Sequence, residues 1–341
     1  MRIVVTGATG NVGTRVIEAL AAEAAVDSIL GVSRREPTDL VLPKVDWVSA
    51  DVASSDLVPL LTGADVVIHL AWLIQPSHRL ATMAATNVTG SARVFTAVAR
   101  AQIPTLIYAS SVGAYSRGPK DHPVDETWPT EGIPSSFYSR HKAAVERQLD
   151  RLEAEHPELR VVRMRKGLVF QRSAAARIRR LFLGPLVPTT VLRPSLIPVV
   201  PDTPGLVFQV VHAADAAQAY RLAVLGRARG AFNIVADPVL DPAELARALS
   251  AHLVPLPAGV LRTIANVTWR ARLQPSPPGW IDLALGAPVL DAGRARRDLG
   301  WEPQRSATDA LFDLLTGLAE GAGYPTPASM PGPRMARGSF G

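Results

Sequence analysis

The sequence predicts an α/β fold: a doubly wound parallel sheet with a smaller C-terminal substrate-binding region. Three observations carry this. Short apolar strands alternate with helical segments through residue 115. The strands are continuous apolar runs. A glycine-rich turn separates the first strand from the first helix.

Strands are expected at 3–6, 29–33, 45–48, 66–70 and 105–110. Residues 11–24 have helical periodicity, with Val12, Val16, Ile17 and Leu20 on one side. A second long helix is expected over 86–101. Strand–helix–strand repetition implies parallel strands, because each crossover helix lies on a face of the sheet. Residues 116–136 are rich in Pro, Gly, Asp and Ser and predict a loop. A helix over 136–155 and a strand over 160–169 follow.

Regularity then loosens. Helices are expected at 173–183, 215–225 and 242–252, and a short strand at 231–235. Prolines interrupt 184–205. The reading is a core over 1–170, and a mixed substrate-binding region over 171–320 whose strands and helices return to that core. A Gly/Pro/Arg-rich tail over 321–341 is expected to be disordered.

Composition narrows the function classes. The chain has 341 residues, 48% of them hydrophobic, enough for a sizeable core. It has no cysteine, which excludes thiolate nucleophiles, disulfides and Cys-based metal sites. No metal site is expected. The N-terminus lacks a signal-peptide pattern and no apolar run is long enough to span a bilayer, so a cytoplasmic protein without a membrane partner is expected. The formal net charge is +6. Only four of the 36 basic residues are Lys (44, 120, 142 and 166). The arginines are scattered and lack a basic–aromatic recognition motif. No nucleic-acid partner is expected, and an anionic cofactor accounts for the charge more simply.

The turn reads Thr6-Gly7-Ala8-Thr9-Gly10-Asn11-Val12-Gly13. Gly7 suits a tight turn, Gly10 a close backbone approach, and Gly13 close helix–strand packing. The following helix N-terminus offers backbone donors and a positive dipole end, as in the Rossmann dinucleotide fold. The second strand ends Ser33-Arg34-Arg35, without the acid that usually binds a ribose 2′-hydroxyl. Ser33 and Arg34 suit a 2′-phosphate, so NADP is expected in preference to NAD. The alternative is a solvated Arg pair at a strand end.

Tyr138-Ser139-Arg140-His141-Lys142 is a Tyr-x-x-x-Lys pattern. On a helix, positions i and i+4 share a face. A free tyrosine has a pKa of about 10. A neighbouring ammonium is expected to lower it.

These segments together resemble the extended short-chain dehydrogenase/reductases of the NAD-dependent epimerase/dehydratase type. The likeness covers roughly residues 1–320. It implies that Ser111, with Ser110 as runner-up, orients a reacting carbonyl, that Tyr138 exchanges its proton, and that Lys142 holds the nicotinamide ribose. It assigns cofactor contacts to Gly7, Thr9, Gly10, Asn11, Val12, Gly13, Ser33, Arg34, Tyr138 and Lys142. Asp51 and Val52 match the family's adenine pair. Leu70, Ala71 and Trp72 match its cofactor-lining segment. Asn87, in Asn-Val-Thr-Gly, has a role as structural as catalytic. Lys166 stands where the family has Pro. His212 resembles a helix-entry residue, with ligand contact as the alternative. Leu299-Gly300-Trp301-Glu302-Pro303 resembles a C-terminal signature.

Nucleotide-sugar dehydratases of this kind carry Asp-Glu where this chain has Val112-Gly113. Many epimerases carry Arg-Tyr-Phe-Asn where it has Arg165-Lys166-Gly167-Leu168. The resemblance therefore implies Ser-Tyr-Lys hydride transfer to or from a carbonyl or secondary alcohol of a small molecule. A nucleotide-sugar epimerase is the alternative, and a non-catalytic dinucleotide sensor a third. Trp72, Leu73, Ile74, Phe182, Leu183, Leu186, Val187, Leu192 and Leu196 suit an apolar pocket or ordinary core. Arg177, Arg179 and Arg180 suit an anionic group or a solvated helix face. A homodimer through the helices at 86–101 and 136–155 is expected as in relatives.

Overall fold

The structure is a computed structural model, and it describes residues 1–38, 40–75, 77–184 and 192–330. The first half contains β1 (Arg2–Thr6), α1 (Asn11–Ala21), β2 (Ser28–Ser33), β3 (Val45–Ser49), α2 (Val58–Leu61) and β4 (Val66–His69). It continues with α3 (Leu80–Ala84), α4 (Gly90–Arg100), β5 (Thr105–Tyr108), β6 (Pro123–Val124), α5 (Phe137–Glu155) and β7 (Arg160–Lys166). Then come β8 (Leu168–Phe170), α6 (Ala175–Ile178), β9 (Val199–Asp202), β10 (Phe208–His212), α7 (Ala213–Leu225) and β11 (Gly230–Ile234). The last elements are β12 (Ala236–Leu240), α8 (Pro242–Leu249), β13 (His252–Pro255), α9 (Ala258–Arg270), α10 (Gly279–Gly286), β14 (Val289–Leu290) and α11 (Ala307–Glu320).

Seven strands form one sheet in the order β11-β7-β5-β4-β1-β2-β3. All six pairings are parallel. Side chains alternate across it, as a strand period of two requires. Ile3, Val5, Ile68 and Ile107 face one core with α1 and α7. Val4, Val67, Leu106 and Val161 face the other with α4 and α5. Burial on both faces is why these strands read as unbroken apolar runs. Strand order reverses between β1 and β4, which opens a crevice at their C-terminal ends.

β10 lies between β8 and β12 in a small sheet beside that crevice, and α11 packs on it. Two further pairs, β9 with β13 and β6 with β14, complete the second half. No helix among the described residues is long and apolar enough to cross a membrane.

Three expectations need correction. The helix expected from residue 86 begins at Leu80 and runs through a π turn at Ala85–Thr89 into α4. The strand expected over 160–169 is two strands. Gly167 divides them, and a Cβ there would lie 2.5 Å from the Gln209 carbonyl oxygen. The tail expected to be disordered from 321 is packed over 321–330. There the Thr326 hydroxyl donates to the Thr9 carbonyl at 3.0 Å, and Tyr324 bonds Glu18. Residues 331–341, with Leu186 and Val187, lie outside the described residues.

Trp301 is fully buried, and its indole N–H donates to the Asp215 carbonyl at 2.8 Å. Trp301→Ala should cost about 3–5 kcal/mol, read as a lower denaturant midpoint.

Candidate active site

The crevice is a cavity of about 630 Å³. The glycine turn forms one end. Gly7 has φ +74°, and a Cβ on it would lie 2.5 Å from the Ala71 nitrogen. A Cβ on Gly13 would lie 2.5 Å from the Gly7 oxygen. These two glycines are therefore required by close backbone approach. Gly10 caps α1 without a side-chain hydrogen bond, and Gly10 to Gly13 line the cavity, so the helix's unpaired first-turn N–H groups lie at its wall. This cradle fits a dinucleotide pyrophosphate.

Of the catalytic and cofactor residues expected from sequence, all but Asn87 line this cavity, whereas Leu183, Leu192, Leu196, Arg179 and Arg180 do not. Several side chains there are committed elsewhere. Asn11 donates to the Val169 carbonyl at 2.9 Å and accepts from Gln171 at 2.7 Å, tying the turn to the segment after β8. The Ser33 hydroxyl donates to the Arg35 carbonyl at 2.7 Å. Asp51 accepts from the Ala53 amide at 2.9 Å. The buried Asn87 clamps Leu73 through both backbone groups, at 2.7 and 2.8 Å. It thus fixes the loop carrying Leu70, Ala71 and Trp72. His69 is fully buried, bonded to Thr6 and Ser91. Burial, then the Lys142 charge, push its pKa down to about 3, so it is a neutral strap.

Arg34 is exposed at the rim of the cavity. Arg177, read from sequence as an anion ligand or a solvated side chain, lines the same end. Its guanidinium is 3.5 Å from where a Cβ on Gly10 would stand. Burial, then the charges of Arg180 and Arg34, lower its pKa to about 10. Burial is thus the main cost, and the neighbouring guanidinium charges add to it.

Ser136 caps α5, which starts at Phe137 and presents Tyr138 and Lys142 one turn apart. Tyr138 and Ser111 both flank Gly113, where a Cβ would lie 2.8 Å from the Tyr138 ring and 3.5 Å from the Ser111 hydroxyl. Ser111 accepts from the Gly113 amide at 3.0 Å. Burial, opposed by the Ser111 hydroxyl, pushes the Tyr138 pKa up to about 12. The expected lowering by Lys142 is not seen. The Lys142 ammonium lies 5.9 Å from the Tyr138 ring centroid, against the Trp72 ring at 3.5 Å. It donates to the Ala109 carbonyl at 2.6 Å and the Tyr108 hydroxyl at 3.2 Å. Burial, then the Lys166 charge, hold Lys142 well below the ordinary lysine range.

Beneath Ser111 lies a polar cluster that sequence reading missed. The Ser110 hydroxyl donates to the buried Glu146. Arg163 and Arg165 each approach Glu146 at 2.9 Å. Burial alone would raise the Glu146 pKa, but the Arg165 and Arg163 charges and the Ser110 bond bring it down to about 2. Lys166 donates to the Ser110 carbonyl at 3.0 Å, the Met164 carbonyl at 3.3 Å and the Tyr220 hydroxyl at 2.9 Å. Burial lowers its pKa to about 7. A signal existed: Arg163 and Arg165 are two apart in β7 and so share one side of the strand, and Glu146 follows Lys142 by one helical turn.

The opposite end of the cavity is apolar. Trp280 packs over Tyr138 at 4.9 Å between centroids, and Phe182 packs on Trp280 at 5.1 Å. Leu181, Leu206 and Leu283 continue the wall. The Trp72 and Trp280 indole N–H groups are buried without a partner among the described residues. His212 is drawn away into the cap of α7, where it accepts from the Ala214 amide.

Glu146→Gln leaves two buried arginines facing an amide. A cost of about 3–5 kcal/mol is expected in urea melts. The depressed pKa gives the wild type stability that is complete above its ordinary value of 4.5 and lost as pH falls toward about 2. The variant should lose that acid dependence.

The chain is 26% identical over 321 residues to an uncharacterised protein of Mycobacterium bovis, covering 93% of this chain and 30% of that protein. It thus spans less than a third of the first curated relatives it matches. It is 25% identical over 339 residues to a UDP-glucose 4-epimerase of Azospirillum brasilense, covering 91% of this chain and 89% of that one. An L-arabinose 1-dehydrogenase (NAD(P)(+)) of Haloferax volcanii is 28% identical over 236 residues, covering 63% and 89%. The solved structure of MoeE5 in complex with UDP-glucuronic acid and NAD is similar in fold, with TM-score 0.70, 19% identity and coverage of 94% and 99%. The NAD dependent epimerase/dehydratase family profile matches residues 3–234, across β1 to β11. With its glycine cradle, its Tyr-x-x-x-Lys helix and this match, the chain belongs to that family.

Proposed function

We propose that the chain is an NADP(H)-dependent oxidoreductase that reduces a carbonyl, or oxidises the matching secondary alcohol, on a largely apolar small molecule. One observation carries the reading. Ser111, Tyr138 and Lys142 border a single cavity between a glycine cradle and a wall of aromatic and aliphatic side chains. A bound dinucleotide supplies or accepts the hydride. Gly7, Gly10 and Gly13, with the N-terminus of α1, hold its pyrophosphate. Ser111 donates a hydrogen bond to the substrate oxygen. Tyr138 gives its proton to the same oxygen as negative charge develops there. Lys142 binds the ribose from its seat on Trp72. Trp280 closes the pocket over Tyr138 and keeps water from the reacting carbon.

A pKa pushed up to about 12 keeps Tyr138 protonated at neutral pH, which suits a proton donor. Reduction should therefore hold steady through neutrality and fall at alkaline pH as Tyr138 ionises. Oxidation should rise over the same range. Tyr138→Phe should lower kcat for reduction by about 10²–10⁴-fold, with cofactor Kd unchanged. Unchanged turnover would remove Tyr138 from the reaction.

The preference for NADP rests on Arg34, with Arg177 beside it and no acid at the end of β2. A charge-assisted hydrogen bond contributes about 1.5–3 kcal/mol. Arg34→Ala should weaken NADPH about tenfold or more in fluorescence titrations and leave NADH unchanged. Tighter NADH binding by the wild type would overturn the preference. The expected homodimer through α4 and α5 belongs to the same proposal.

The nucleotide-sugar epimerase reading is kept because several relatives bear that name. It predicts purified protein with tightly held oxidised cofactor and interconversion of sugar nucleotides without net redox change. The apolar wall favours the first reading.

A further inference from the structure

Helix α9 is unusual for a surface helix, because none of its residues is buried. Val260, Ile264 and Val267 recur at helical spacing along one face and are 46%, 50% and 58% exposed. Leu253 and Val254 on β13, just before the helix, and Leu273, just after it, are exposed as well. An apolar stripe along an exposed helix, flanked by further exposed apolar residues, is rarely left to water. Charge narrows what covers it. No Asp or Glu occurs between Glu244 and Asp282. Arg270 and Arg272 are exposed and unpaired among the described residues. Apolar side chains on one face with cations beside them suit a helix lying in an anionic membrane interface.

A second copy of the chain fits less well. A twofold contact through α9 would set the same arginines near one another without an acid to offset them.

The helix also joins both walls of the active-site cavity. Arg262 reaches Asp282 of α10 at 2.8 Å, and α10 carries Trp280 and Leu283. Trp269 stacks on His78 at 4.3 Å and donates to Ser77 at 3.0 Å, on the segment that follows Trp72, Leu73 and Ile74.

We propose that α9 and its flanks dock the protein peripherally on an anionic lipid surface, with the apolar end of the cavity beside the bilayer. This departs from the expectation of no membrane partner. The docking stands apart from the oxidoreductase reading and is tested without activity. The choice of an apolar, membrane-borne substrate rests on that reading.

The test is sedimentation of the full chain with vesicles of phosphatidylcholine alone, or with phosphatidylglycerol added. The expected result is binding to the phosphatidylglycerol vesicles that weakens with salt. It should fall at least tenfold in Ile264→Glu and in the double variant Arg270→Glu/Arg272→Glu. Unchanged thermal melting and NADPH binding would show that the variants are folded. No binding to anionic vesicles by the wild type would overturn the proposal. A wild-type dimer that Ile264→Glu converts to a monomer, without vesicle binding, would assign the face to a second copy instead.

Discussion

The end of β5 is held by buried charge, and the geometry of the site depends on it. Two successive residues there are fixed by three contacts. The Ala109 carbonyl accepts from Lys142 and the Ser110 carbonyl from Lys166, while the Ser110 hydroxyl donates to Glu146. Ser111 is thereby set against Tyr138. Buried cations are costly unless hydrogen bonds and opposite charge compensate them. Here Glu146 neutralises Arg163 and Arg165, and Asp150 and Glu153 complete the Arg163 shell. The lysines rely on carbonyls, tyrosine hydroxyls and the Trp72 ring. Their lowered pKa values follow from that poorer compensation.

This arrangement connects sequence to chemistry. The same helix, α5, supplies Tyr138 to the cavity, Lys142 to the carbonyl beneath it, and Glu146 to the core. A single apolar stripe cannot do this, so α5 is a helix whose buried face is partly polar. Lys166 closes β7 and donates to the Ser110 carbonyl, before Gly167 separates β7 from β8. The segment after β5 is thus held by one lysine of α5 and one of β7.

Much of the architecture was legible because parallel strands covered on both faces leave continuous apolar runs. The glycine turn was legible because two of its glycines have no room for a Cβ. Helix onset near Leu80 was less legible, since the segment lacks a capping side chain. The split at Gly167 depends on a close approach to Gln209, which lies far away in sequence. The packing of 321–330 depends on Thr9 and Glu18 at the other end of the chain. The polar cluster was hidden because each charged member alone resembles a solvated residue. Only the fold shows that Glu146, Arg163 and Arg165 meet. Arg177 was ambiguous for the same reason, until the fold laid it over Gly10.

In the proposed reaction Ser111, Tyr138 and Lys142 direct hydride between a nicotinamide and a substrate that leaves with it. Deuterium at the transferable position of NADPH tests this most directly, with products of a carbonyl panel read by mass spectrometry. The account predicts deuterium on the product carbinol carbon in the wild type, and its loss in Tyr138→Phe with the cofactor still bound. Deuterium that never leaves the cofactor, or appears in product equally with Tyr138→Phe, would contradict it.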